Sequence, residues 1–284
     1  MSILTRPEFT PQPKYPVYPP YHSGLYLEDY FHRYAQHHGN LARKYIAVSW
    51  TTMYCDGHNC ASLQAWLQSL PSTHDKYFTV CQHDDAPKQV LPPDTLVFSA
   101  GGNVSGTNII PIPLLCSSLG VSRIESERPI LASFVGSATH PIRTELVKTI
   151  GNDRDFVVST GAWNPRVSSD RLGTFIQTTQ RSQFCLAPRG YGKSSFRMYE
   201  AFQLGAIPVY ISDDHYLPWT DELDWTEFAV LIGREQIPDL KRILQGYSSE
   251  RIDAMRARGQ ELYHAHFTLE GMCQQIHKRV NAST

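Results

Sequence analysis

The densest chemistry in this chain lies in one stretch, Phe184–Asp213, which reads FCLAPRGYGKSSFRMYEAFQLGAIPVYISD. Arg189, Lys193 and Arg197 place three cations within nine residues, around Gly190 and just before and after the pair Ser194-Ser195. A glycine lets backbone amides approach a ligand closely. A helix beginning near the two serines adds unpaired N–H groups and the positive end of its dipole. Such a loop suits a compact polyanion, a diphosphate above all. Glu200 lies one turn beyond Arg197, where a carboxylate can either accept hydrogen bonds from ribose hydroxyls or pair with Arg197 at i, i+3. Spacing alone leaves both open.

The same loop admits a second reading. Ala187 through Ser194 differ from the phosphate-binding pattern G-x-x-x-x-G-K-[ST] only in the first glycine, replaced by Ala187. That pattern normally follows an early strand with much of the sheet still to come. Fewer than 100 residues follow Ser194 here, and most of the last 50 read as helical, which speaks against a nucleotide triphosphatase. A nicotinamide-dependent oxidoreductase would want G-x-G-x-x-G after an early strand, and none is present.

The elements that must carry this loop alternate between strand and helix. In the second half, Ile130–Val135 reads as a strand ending at Gly136. Ile142, Leu146, Val147 and Ile150 then mark a helix closed by Gly151. Strands follow at Asp155–Ser159, Phe184–Ala187 and Ile207–Ile211, with helices through Leu172–Ile176 and Phe196–Phe202. In the first half, strands read at Lys44–Trp50, Tyr77–Cys81, Thr95–Ser99 and Ile109–Ile112. The prolines of the last one point to an edge. A helix carries Leu63, Trp66, Leu67 and Leu70 on one face. The tail is helical, with Leu269, Met272, Ile276 and Val280 on one stripe. Alternation of this kind predicts an α/β chain with parallel sheets covered on both faces and ligands at the strand carboxyl ends. The charged segment Glu125–Pro129 reads as the linker. The expected division is therefore an extended Pro/Tyr-rich arm over 1–24, one α/β domain over 25–125 and a second over 126–284.

Bulk properties narrow the partners. With 284 residues, 41% of them hydrophobic and 19% charged, the chain can build a full core without disulfides. Its net charge of −1, with 12 histidines counted as neutral, argues against a long nucleic-acid interface, while local basic clusters can still hold a compact anion. Six cysteines are scattered and read as reduced thiols. Cys55 and Cys60 flank Asp56 and His58, but no second ligand pair of zinc spacing follows. No apolar stretch reaches the length of a signal peptide or a membrane span, so the expectation is a cytoplasmic chain without membrane partners.

The run C-x-x-P-R-G, S-S-F-R-x-x-E-A, G-A-I-P-V-x-I-S-D, followed by Leu217-Pro218-Trp219 and Leu223-Asp224-Trp225, resembles the exostosin glycosyltransferase family, GT47. The match covers about 40 residues in order. KYFTVCQHDDAP, with its His83-Asp84 pair, resembles the second-strand segment of that family. Ser133-Phe134-Val135-Gly136 with Arg143 resembles its first C-domain strand and phosphate-side arginine. The short chain looks most like soluble members from bacteria and large algal viruses; for a viral member the setting would be the host cytoplasm.

The resemblance implies a GT-B fold, two Rossmann-like domains with a donor/acceptor cleft between them. It implies an inverting transfer from a nucleotide sugar to a glycan acceptor, with UDP the first-choice nucleotide and UDP-xylose the first-choice donor. The donor nucleotide would rest on Gly136, Arg143, Arg189, Gly190, Lys193, Ser194, Ser195, Arg197 and Glu200. Inversion needs one base for the acceptor hydroxyl and cations for the leaving diphosphate. GT-B enzymes of this kind meet the second need with side chains, so neither a metal nor another cofactor is expected, although Asp213-Asp214-His215 keeps a metal in view. The base is sought among Asp84, Asp85 and Asp56, with Asp84 preferred. Tyr54, Trp50 and Trp163 could stack on a sugar or base. A catalytically inactive nucleotide- or glycan-binding protein of the same fold is the alternative from another class.

Overall fold

The computed structural model describes residues 2–12, 26–57, 61–71, 75–104, 106–114, 116, 118–121, 127–164 and 166–282. The chain divides into two compact units, Met1–Leu115 with Ala265–Thr284, and Cys116–His264. Each is built on a five-stranded sheet in which every pairing is parallel.

Unit 1 runs β1 (Ile3–Leu4), α1 (Leu27–His38), β2 (Lys44–Ile46), α2 (Trp50–Asp56), α3 (Ala61–Gln68), β3 (Tyr77–Cys81), β4 (Leu96–Ser99) and β5 (Ile109–Pro111). The strands lie in sequential order, with β5 on the edge that its prolines required. Ile46, Val48, Trp50, Met53, Leu63, Trp66 and Leu67 form one core cluster.

Unit 2 runs β6 (Ile130–Ser137), α4 (Pro141–Ile150), β7 (Phe156–Gly161), α5 (Ser169–Gln180), β8 (Ser182–Pro188), α6 (Phe196–Gln203), β9 (Ile207–Ser212), β10 (Val230–Gly233), α7 (Leu240–Gln245) and α8 (Ser249–His266), with the order β10-β9-β8-β6-β7. Successive side chains of a strand point to opposite faces. Ala132 and Phe134 accordingly join a cluster with Ile142, Leu146 and Phe184, while Val135 joins Phe175, Cys185 and Ala201 in another. Two Rossmann-like α/β units are thus present, as a GT-B chain requires.

The structure corrects several readings. The strand expected over Lys44–Trp50 stops at Ile46, and Trp50 begins α2, because Thr51 is captured by a carboxylate from α1. That helix was not anticipated, although Leu27, Phe31, Tyr34 and Ala35 are buried at helical spacing. The arm is not uniformly extended: β1 pairs with β2, and Phe9 stacks on Trp66 with ring centroids 5.6 Å apart. Residues 13–25 lie outside the described residues. The unit boundary falls at Leu115/Cys116, ahead of the linker expected at Glu125–Pro129, whose first two residues lie outside the described ones.

The last helix, α9 (Leu269–Ala282), belongs to unit 1 rather than to the second domain. Its periodic stripe announced burial but not the partner, which is α1: Glu270 Oε2 accepts from the Tyr30 hydroxyl at 3.1 Å, and Tyr34 meets His277 edge-on. The strand β10 was also missed. The five described cysteines are free, and only Cys55 is exposed; Cys60 and His58 lie outside the described residues. Among the described residues, no helix is long and apolar enough to cross a membrane.

Candidate active site

In unit 2 the chain runs outward from β6 to β7, then returns to the other side of β6 for β8. Such a reversal opens a crevice at the carboxyl ends of the two inner strands, where ligands of α/β sheets bind. The opening can be located. Pairing of β6 with β8 ends at Ser133↔Cys185, whereas β6 stays with β7 to Ser137↔Gly161 and β8 with β9 to Pro188↔Ile211.

Beyond that point two arginines fill the split. Arg197 Nε donates to Val135 O at 2.7 Å, and its guanidinium lies 3.9 Å from the centroid of the Phe175 ring. Arg143 Nη1 donates to Ser137 O at 2.8 Å, Nη2 to Pro188 O at 3.0 Å and Nε to Arg189 O at 3.0 Å. Burial, and then the charge of Arg197, pushes the Arg143 pKa down to about 10. Two adjacent guanidinium groups in one crevice make it strongly attractive to an anion.

The loop after β8 completes the crevice. Arg189 Nη1 bonds Asp213 Oδ1 at 2.8 Å and Nη2 bonds Tyr191 O at 3.2 Å, while its Nε is buried without a hydrogen-bond partner. Burial works against the Asp213 carboxylate, but Arg189 outweighs it and holds that pKa below the ordinary value. Lys193 pairs with Asp214, and Arg197 pairs with the buried Glu200. Three of the four expected phosphate-side cations therefore have carboxylate partners, and the i, i+3 pair of Arg197 and Glu200 is formed. Ser195 occupies the N-cap position of α6, where the serine pair placed a helix start, but makes no side-chain cap: its buried Oγ has no hydrogen-bond partner. Ser194 lies beside Tyr199, and Gly136 is buried near the end of β6. At Gly190 a Cβ would come within 3.1 Å of Arg143 Nη2, so a side chain there would crowd the clamp.

One supporting residue escaped sequence reasoning. The Tyr210 hydroxyl donates to Lys193 O at 2.6 Å and accepts from Tyr216 N at 3.2 Å, propping the loop from β9.

In unit 1 the loop after β3 carries Asp84 and Asp85, both partly exposed. Asn103 N donates to Asp84 O at 3.1 Å, and Asn103 Nδ2 to Asp85 Oδ1 at 3.0 Å. A side chain on Gly101 would strike the Asp84 backbone, so the close approach of these two strand-end loops depends on glycine. Burial pushes the His83 imidazole pKa down, and its ring lies 5.0 Å from that of Tyr54. Asp56 is not on a strand-end loop as expected but is the last residue of α2. Trp50 is fully buried with its Nε1 on Thr79 Oγ1 at 2.8 Å, so it packs rather than stacks on a ligand. Trp163 is 59% exposed.

Sequence reasoning also missed Glu28, a buried carboxylate of α1. Its Oε1 accepts from Thr51 N at 3.2 Å, Thr51 Oγ1 at 2.7 Å and Gln82 N at 3.0 Å. The signal was the apolar spacing of α1, which would have placed Glu28 beside Leu27 on a helix. Among the described residues, no group of three or more His, Cys, Asp and Glu side chains is placed to hold a metal ion.

The model of the exostosin GT47 domain matches residues 73–247, more than half of the chain. The chain belongs to the exostosin GT47 family. This displaces the triphosphatase reading of the loop at 187–194. Among curated relatives, a "Probable glycosyltransferase" of Arabidopsis thaliana is 35% identical over 133 residues, 47% of this chain and 24% of that one. A "Probable beta-1,4-xylosyltransferase" of the same plant is 38% identical over 86 residues, 30% of this chain and 21% of that one. The chain spans about a quarter of the length of the curated relatives it matches. Among solved structures, the pneumococcal O-GlcNAc transferase in complex with UDP and GlcNAc is 14% identical at a TM-score of 0.40, covering 72% of this chain and 45% of that one.

Proposed function

We propose that this chain is an inverting glycosyltransferase that moves a sugar from a nucleotide sugar to a glycan acceptor by single displacement. The carrying observation is the split between β6 and β8, filled by Arg143 and Arg197 and bordered by two buried polar atoms without partners, Arg189 Nε and Ser195 Oγ. Buried polar groups left unpaired are costly and call for a partner. A diphosphate offers oxygens for them and negative charge for the arginines.

In the reaction, the acceptor oxygen forms a bond to the anomeric carbon as the bond from that carbon to the diphosphate oxygen breaks. The hydroxyl proton passes to Asp84, and the electron pair leaves with the nucleoside diphosphate. Arg143, Arg189, Lys193 and Arg197 meet the charge that develops on the leaving group. A UDP-sugar is the donor class we favour. Xylose is the first sugar to test, because a relative carries a probable xylosyltransferase name.

The test is a thermal melt with UDP, GDP and their sugars. A ligand that binds only the folded chain raises the midpoint, and UDP species are expected to do so. No shift with any nucleotide at millimolar concentration would remove the donor-site assignment. Transfer is expected to persist in excess EDTA, and loss restored by manganese would replace the side-chain account of the leaving group.

A further inference from the structure

One buried atom in unit 1 ties together the exits of two strands. Glu28 Oε1 accepts from the amide and hydroxyl of Thr51, at the start of α2 beyond β2, and from the amide of Gln82, the first residue beyond β3. The link is reciprocal, since Gln82 Oε1 accepts from Leu27 N at 2.9 Å, next to Glu28 on α1. Glu28 is only 1% exposed, and its second oxygen, Oε2, is buried without a hydrogen-bond partner. Burying a carboxylate is unfavourable, and an apolar side chain would fill the same space at lower cost. What an apolar side chain cannot supply is an acceptor for the three donors.

The next residues along the chain are His83, Asp84 and Asp85. On its far side this loop is held by Asn103 N on Asp84 O at 3.1 Å, and its base is closed by Cys81 Sγ on Ala86 O at 3.1 Å. On its near side the backbone is fixed by the bond from Gln82 N to Glu28, beside the bond from Leu27 N to the Gln82 side chain.

We propose that Glu28 is a positioning residue for sugar transfer: Oε1 sets where the chain leaves β3, and thereby where the Asp84 carboxylate stands. This rests on the reading of Asp84 as the base. The role belongs to the place of one oxygen atom rather than to a charge. Glu28→Gln keeps a carbonyl oxygen near that place, whereas Glu28→Asp keeps the charge and withdraws the oxygen by about 1.5 Å, one carbon–carbon bond. A misplacement of about 1 Å can cost a factor of about 100 in rate.

The experiment compares Glu28→Gln, Glu28→Asp and wild type by transfer kinetics, UDP titration and amide hydrogen exchange. Glu28→Asp is expected to lower kcat roughly 100-fold with unchanged UDP affinity and to speed exchange in 82–85 and at Thr51. Glu28→Gln is expected to recover most of that loss. The opposite ranking, with Asp active and Gln slow, would overturn the proposal in favour of a charge role. Unchanged exchange over 82–85 in a folded Glu28→Asp chain would overturn it outright. Exchange reads the brace whether or not transfer is seen. If the wild-type chain transfers no sugar while Glu28→Asp still exchanges faster than wild type over 82–85, the transferase reading falls and the brace stands.

Discussion

The guanidinium of Arg143 bonds the carbonyl of Pro188 twice, from Nε at 3.3 Å and from Nη2 at 3.0 Å. Arg143 belongs to α4, which follows β6, and Pro188 ends β8, so this contact closes the split between the two strands. A lysine presents its donors from a single point and cannot reach this fan of carbonyls. Arg143→Lys should therefore weaken UDP binding by roughly tenfold or more, about 1.4 kcal/mol, even though the charge is kept. Isothermal titration measures it, and an unchanged dissociation constant would free Arg143 from any part in shaping the site.

Arg197 and Glu200 make separable predictions. Arg197→Ala leaves Glu200, whose side chain is 3% exposed, without its counter-charge and removes the bond to Val135 O. Loss of one partner of a buried pair costs roughly 3–5 kcal/mol, readable by urea unfolding. Glu200→Gln should lose less stability but bind UDP about 10- to 100-fold more weakly, if the carboxylate also accepts from ribose at about 1.5–3 kcal/mol. Normal binding by Glu200→Gln would assign the carboxylate wholly to Arg197.

Asp84→Asn should lower kcat by a factor of about 100 or more, the contribution of a positioned base, with nucleotide affinity nearly unchanged. Near-normal turnover would pass the role to Asp85, which stands on the same loop.

Asp29 gives unit 1 a pH dependence. Burial, then the neighbouring Glu28 carboxylate, raises its pKa from 3.8 to about 7. The folded state then holds a proton that the unfolded state has already released, so stability falls as pH rises from about 4 to about 7 and levels off above. Each pH unit crossed costs up to about 1.4 kcal/mol. Other buried groups titrate too, with Glu28 raised and His32 and His83 lowered by burial, so the readout is a difference. The wild-type melting midpoint should fall relative to that of Asp29→Asn between about pH 5 and about pH 7; parallel curves would refute the assignment.

Much of unit 2 was legible because its signals are local. Strand, glycine loop, serine pair and helix follow one another from Phe184 to Phe202, and each appears where its residue types required. The partners of the cations were less legible. Asp213 and Asp214 sit on the neighbouring strand end, and only strand order brings them to Arg189 and Lys193. The i, i+3 spacing of Arg197 and Glu200 was plain, but spacing does not say whether a pair serves itself or a ligand. In unit 1 the reading faltered where one side chain acts at a distance. Glu28 draws Thr51 into the start of a helix from 23 positions away, and a local window over Lys44–Trp50 sees only an apolar run.

Because α9 returns to unit 1, that unit is interrupted in the chain by the whole of unit 2. During synthesis from the N-terminus, every strand of both sheets emerges before the helix that covers α1. A nascent chain at His264 would hold unit 2 in full while Tyr30 and Tyr34 still lacked Glu270 and His277. Removing residues 265–284 would therefore strip unit 1 and not unit 2. Expressing 116–264 by itself is the cut that respects the contacts within the chain.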